Sequence, residues 1–174
     1  MSKIGEGTVH VYTFRAGLLG RVGHDLRLSL ERFEFEFEEG SDPRSVDATF
    51  WPESLSVEGA MVEGDLDREG LSGSDRRKIR GNIRRDVLQT DEYPEATFSG
   101  AAESLGEDRW RVDGELELVG QSRPLSFEVR RQQGRFRTRV ELTPTRWGIP
   151  PYKALMGALR LEDRVVVEVD VPAE

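Results

Sequence analysis

The sequence predicts an all-β, antiparallel domain, and three observations carry that reading. Apolar and polar residues alternate with period two through most of the chain, as strands with one wet face require. Turn-forming stretches separate the runs, most clearly Gly120-Gln121-Ser122-Arg123-Pro124 and Gln132-Gln133-Gly134. Helical spacing is persuasive in a single segment. The alternating runs number eight, at about 8–15, 26–38, 45–57, 96–104, 110–118, 125–130, 136–142 and 164–171. Antiparallel strands with one apolar face either pack as two sheets or roll into a barrel, and at eight strands a barrel interior is filled by side chains or holds one ligand.

Taken in order, the first run contributes Phe14 to the interior. In the second, Leu26, Leu28 and Leu30 share one parity while Phe33, Phe35 and Phe37 share the other, so a bulge near Glu31-Arg32 is needed to keep both sets inward. The third run changes from Val46, Ala48 and Phe50 to Leu55 and Val57 across Pro52, which implies an interruption. The helix spans about 75–88: Ile79, Ile83 and Val87 recur every fourth residue, Ser74 caps the start, and Asp75 suits the positive first turn. It ends before Tyr93-Pro94. Trp110 to Leu118, Leu125 to Arg130 and Phe136 to Leu142 form a meander, whose last two strands place acids and arginines for cross-strand pairing. A short helix or loop lid follows at about 146–159.

Composition narrows the function. The 174 residues, 36% apolar and 33% charged, read as one domain over 1–174 with no internal repeat or linker. The absence of cysteine excludes a disulfide framework, thiolate metal sites and a cysteine nucleophile. No apolar stretch follows the N-terminal lysine as a secretory signal requires, so a cytoplasmic location is expected. The longest uncharged apolar run, Ala154 to Leu159, is far short of a membrane span. A net charge of −8 disfavours nucleic acid as a partner, while a homodimer is left open.

Few residues offer chemistry. His10 and His24 lack a second histidine at ligand spacing, so no metal site is expected. His24, beside Asp25, reads first as a hydrogen-bonded structural histidine, with proton transfer or a polar ligand contact as alternatives. Leu71-Ser72-Gly73-Ser74 lacks the nucleophile-elbow spacing, and the glycines at 17, 20 and 23 precede a strand instead of a helix. Arg76 to Arg85 holds six basic residues and no acid, which suits a solvated helix face or an acidic head group at a pocket mouth. The inward residues Phe14, Phe50, Phe98, Trp110, Phe127 and Phe136 lie beneath an apolar, Gly/Pro-rich stretch from Arg146 to Gly157. Periodicity leaves open whether they fill the interior or line a cavity.

Three stretches together resemble the YceI-like family of lipid-binding, polyisoprenoid-binding proteins: Asp86 to Phe98 with its Tyr93-Pro94 turn, Val112 to Leu125 with its Gly114, Gly120 and Pro124 hairpin, and Arg146-Trp147-Gly148-Ile149 with Met156-Gly157. The resemblance runs from about Thr8 to Val171. It implies an extended eight-stranded antiparallel barrel, lipocalin-like in shape, around a long apolar tunnel, and no catalysis. The implied function is binding of an isoprenoid quinone, polyprenyl or fatty-acyl chain for storage, transport or sequestration, with no cofactor beyond that lipid. On this reading the ligand-lining candidates are Phe14, Leu19, Phe50, Ile83, Phe98, Trp110, Leu116, Leu118, Phe127, Val140, Trp147, Tyr152 and Met156. The head-group candidates are His24, Arg77 and Arg80. Two alternatives stand beside it: an enzyme using His24 and Asp25, and a scaffold that docks an acidic partner through residues 76–85.

Overall fold

Alternation along the chain becomes a single curled antiparallel sheet. The structure is a computed structural model that describes residues 2–16, 24–38, 44–154 and 159–173. Its strands are β1 (Ser2–Ile4), β2 (Thr8–Arg15), β3 (Asp25–Leu30), β4 (Phe33–Phe37), β5 (Arg44–Phe50), β6 (Leu55–Val62), β7 (Asp65–Asp67), β8 (Ala96–Gly106), β9 (Arg109–Leu118), β10 (Gln121–Gln132), β11 (Arg135–Leu142), β12 (Lys153–Ala154) and β13 (Leu159–Pro172). The helix α1 (Gly73–Asn82) runs into a π-helical turn over Ile83–Val87. The sheet follows the order β1-β4-β5-β8-β9-β10-β11-β13-β2-β3-β6-β7, with β12 paired to β13.

The expected count of eight strands is therefore corrected to a 13-stranded sheet. Two expected runs are each split at one corner, and β1, β7 and β12 are too short to show alternation. At the corner the chain does more than bulge: pairing lapses between Leu30↔Leu55 and Phe33↔Phe50, and a 3-10 turn over Pro52–Ser54 fills the gap. Pro52 has no N–H to donate to a ladder, so the break falls there. The Glu31 and Trp51 amides donate to the Ser54 and Arg32 carbonyls at 3.2 Å, and the Arg32 amide donates to Ser54 Oγ at 2.8 Å. Both apolar triplets of the second run keep an inward face as a result. Because β3 leads into β4 and β5 into β6, the two ends of the sheet path meet at this corner and the sheet is barrel-like.

Charges line the outer face, but their pairing differs from expectation. Across β10 and β11, Arg130 faces Arg137, which cannot pair. The arginines of β11 turn to β13 instead: Arg135 and Arg137 meet Asp170, and Arg139 meets Glu168.

Helix α1 begins earlier than the sequence spacing indicates. Its cap is Ser72, not Ser74, because Ser72 Oγ accepts the Asp75 amide at 3.0 Å. The helix is clasped to the corner, where Arg80 Nε donates to the Leu55 carbonyl at 3.0 Å and Arg84 Nη2 meets Glu53 Oε1 at 2.8 Å. On its other side Asn82 Nδ2 donates to Tyr152 Oη at 3.0 Å.

The stretch expected as a lid opens with a 3-10 turn over Pro144–Trp147 and continues toward β12; residues 155–158 lie outside the described residues. Gly148 ends the turn with φ +76°, and a Cβ there would meet Gln121 Nε2 at 2.6 Å. Trp147 is thereby driven inward, and its Nε1 donates to the Leu116 carbonyl at 2.7 Å. A second close approach joins β8 to β9 at Gly100↔Gly114, where a Cβ on Gly114 would lie 2.3 Å from the Ser99 carbonyl oxygen. Gly114→Ala is expected to lower stability by about 1–3 kcal/mol, since backbone must shift to admit the methyl. Urea denaturation checks it, with Gly5→Ala, whose methyl meets only the Phe33 carbonyl at 3.5 Å, as the control.

Candidate functional site

The pleat decides what the interior contains. On β2, Val9, Val11 and Thr13 face inward; on β5, Val46, Ala48 and Phe50 do; and on β13, Val165, Val167, Val169 and Val171 do. Around the curled sheet these rows do not close on one another. They enclose a cavity of about 500 Å³, within the range that holds small-molecule ligands. The buried core is split to match, into one cluster around Val9, Leu28 and Phe33 and another around Phe98, Leu116 and Trp147. Phe35, Phe50, Leu88 and Val167 touch both.

The two ends of the cavity differ. Toward α1 the lining includes Ile79, Asn82, Ile83, Leu88, Pro150, Pro151 and Tyr152. Toward the far ends of β4, β9 and β11 it includes Phe37, Phe136 and Trp110, stacked edge to face with both ring-centre separations at 5.8 Å. Between them Phe98 and Phe127 stand 5.4 Å apart. Among the described residues the polar ones on the lining are few: Thr13, His24, Arg44, Asn82, Arg137, Thr138, Tyr152 and Glu162, of which Arg137 turns its side chain outward to Asp170.

Of the residues singled out in the sequence, Phe50, Ile83, Phe98, Trp110, Leu116, Leu118, Phe127, Val140, Tyr152 and His24 line this cavity. Leu19 and Met156 lie outside the described residues. Phe14 is a correction. It has the parity opposite to Val9, Val11 and Thr13, so its ring lies on the outer face with the Arg164 guanidinium 4.0 Å from its centre. Trp147 is a second correction, since its indole is spent inside the wall, only 1% exposed and bonded to the Leu116 carbonyl. Arg77 and Arg80 do not reach the lining either: Arg77 is exposed and Arg80 holds the corner. The leucines of β3, read as inward from the sequence, also line the cavity, as does the valine row of β13, whose parity follows from the register once Val9 is taken as inward.

His24 and Asp25 do not form a dyad. Neighbouring residues entering a strand point to opposite faces; His24 lies on the cavity rim while Asp25 Oδ1 accepts the Arg15 amide at 2.8 Å on β2. Among the described residues no group of three or more His, Cys, Asp or Glu side chains could hold a metal ion. None of the described helices is long and apolar enough to cross a membrane.

Residues 13–173 match the YceI-like domain. The chain belongs to the YceI-like family. It is 30% identical over 87 residues to a UPF0312 protein of Pseudomonas putida (strain W619), an alignment covering 49% of this chain and 45% of that relative. The chain thus spans about half the length of the curated relative it matches. Solved structures with a similar fold include Burkholderia cenocepacia BcnA (TM-score 0.66, 16% identity, 97% of this chain and 96% of that one). A polyisoprenoid binding domain from Saccharophagus degradans, implicated in plant cell wall breakdown, superposes with a TM-score of 0.60 at 10% identity over 98% of this chain and 97% of that one. The Campylobacter jejuni YCEI protein gives 0.56 at 11% identity, over 84% of each chain.

The outer wall of this YceI-like sheet holds one partly buried ionic cluster that the alternation did not disclose. The ladder between β3 and β6 slips by one residue, leaving Glu58 as the extra residue of a bulge between Val57 and Gly59. Its carboxylate meets Arg27 Nη2 at 3.0 Å, His10 Nε2 at 3.1 Å and Arg68 Nη2 at 3.2 Å. Burial pushes the Glu58 carboxyl up, but the Arg27 hydrogen bond and charge, with His10 and Arg68, outweigh it and hold it below the ordinary carboxylate range. Nearby, burial and the Glu168 charge raise the Tyr12 phenol. A depressed carboxylate stabilises the fold above its unfolded-state pKa, and that stability is lost as pH falls through the lower folded value. Glu58→Gln is expected to cost about 1–3 kcal/mol at pH 7 and to flatten the fall in stability on acidification below pH 4.5. Urea denaturation at pH 7 and at stepped acid pH checks both.

Proposed function

We propose that this protein binds a long apolar ligand inside the curled sheet, an isoprenoid quinone, polyprenyl or fatty-acyl chain, and that it stores, carries or sequesters that ligand instead of transforming it. The observation that carries the reading is the pairing of a cavity of about 500 Å³, lined almost wholly by hydrocarbon, with a charged exterior. Water inside such a cavity has too few polar partners to be content there, so an apolar chain is the better occupant. The description of the Saccharophagus degradans neighbour as a polyisoprenoid binding domain supports the same chemistry.

Magnitudes favour a chain over a compact solute. Each methylene removed from water contributes about 0.8 kcal/mol, so fifteen of them offer about 12 kcal/mol, comparable to the upper part of the 4–15 kcal/mol that association costs. Short chains therefore bind weakly and long ones well. Retinol serves as a neutral probe, followed by its own fluorescence on delipidated protein. Saturable binding is expected, and Ala48→Phe, which fills the middle of the cavity from the inner face of β5, is expected to weaken it at least tenfold while the protein stays folded by circular dichroism. The absence of any saturable site in the wild-type protein, with no apolar molecule co-purifying in native mass spectra, is the result that overturns the proposal.

A further inference from the structure

The inward row of β5 begins with a charge. Arg44, Val46, Ala48 and Phe50 all line the cavity, whereas Ser45 and Asp47 face outward, bonding Glu38 at 3.2 Å and Ser99 at 2.7 Å. Arg44 is thus on the parity of the hydrocarbon, half-buried, at the end of the cavity away from α1. Its register partner on β8 is Ala102, a small residue that leaves the guanidinium room.

What surrounds Arg44 sets it apart from the other arginines of that end. Arg137, also on the lining, is paired with Asp170 at 3.2 Å. Arg131 is paired with Asp108 at 2.6 Å and lies over the Trp110 ring at 5.4 Å. Arg44 lies over the same ring at 5.9 Å, and no carboxylate among the described residues stands within ion-pair distance of it. A guanidinium held beside hydrocarbon without a counter-ion is costly, and a ring face compensates only part of that cost. Its planar fork of donors matches a carboxylate or a phosphate in bidentate fashion.

We infer that Arg44 is the anchor for an anionic head group, so that the ligand is an amphiphile ending in a carboxylate or phosphate whose chain runs from the Trp110 end toward α1. The inference rests on the reading of the cavity as an apolar-ligand site and adds its polarity and its direction. From Arg44 to Phe50 the strand rises about 20 Å, at about 3.3 Å per residue, which sets the scale of the chain. Of the polar lining groups near α1, Asn82 and Tyr152 are bonded to each other.

The test compares an anion with its neutral twin on the delipidated full chain. Retinoate is expected to bind at least tenfold more tightly than retinol at low salt, and Arg44→Gln to erase that preference while changing retinol affinity less than twofold. Arg44→Lys, which keeps the charge but not the fork, is expected to retain part of it. Displacement of retinoate by palmitate but not hexadecanol identifies a carboxylate as the natural head, and displacement by farnesyl phosphate but not farnesol identifies a phosphate. Equal affinities for retinoate and retinol in the wild type, or a preference that survives Arg44→Gln, overturns the anchor and leaves the cavity reading standing. Failure to bind either probe removes both.

Discussion

Because successive side chains of a strand point to opposite faces, each long strand here commits one row of apolar groups to the interior, and a sheet that curls back on itself must then find something for those rows to touch. In a packed barrel they touch one another. Here they touch only in part: two buried clusters form along the wall, joined by Phe35, Phe50, Leu88 and Val167, and a cavity lies between them. The apolar inner face therefore does two jobs, stabilising the sheet where rows meet and offering an unspent dry surface where they do not.

The wall around that space is kept rigid by residues that never reach it. Trp147 is bonded to the Leu116 carbonyl, Gly148 makes room against Gln121, and Gly114 and Gly100 let β8 and β9 approach closely. These same positions carry much of the resemblance to the family, so the recognisable motifs mark latches of the fold. The lining itself is interchangeable hydrocarbon, constrained in parity and volume more than in identity. A similar fold consequently persists at 10–16% identity.

How much of this was legible in the sequence follows from the same division. Parity placed Phe50, Phe98, Trp110, Leu116, Phe127 and Val140 on the inner face, because alternation is a local property; that this face borders a cavity is seen only in the structure. Parity also tells against Phe14, once Val9 and Val11 are taken as the inward pair; aromatic bulk alone is a poor guide to facing. The corner at Glu31-Arg32 and Pro52 was visible as a parity change, but that it splits two runs into four strands depends on hydrogen bonds between distant segments. The helix start moved from Ser74 to Ser72 because two serines within three residues can each cap, and only the backbone decides between them. The Glu58 cluster could not be read at all, since a one-residue slip between β3 and β6 leaves no trace in either strand alone.

Hydrocarbon contact discriminates weakly among chains, so selectivity must come from where the cavity stops and from the few polar groups at its ends. Those ends are unlike. One is covered by α1 and the π-helical turn after it, whose Arg80 and Arg84 are consumed in holding the Pro52 corner and whose Asn82 is tied to Tyr152, so their charge is spent away from the cavity. The other is walled by Phe37, Phe136 and Trp110, rigid rings that give the space a flat, firm floor, with a cation at its edge. A chain entering such a space is sorted by length against that aromatic floor and by charge against the guanidinium beside it. The long apolar stretch between the ends supplies affinity without choosing.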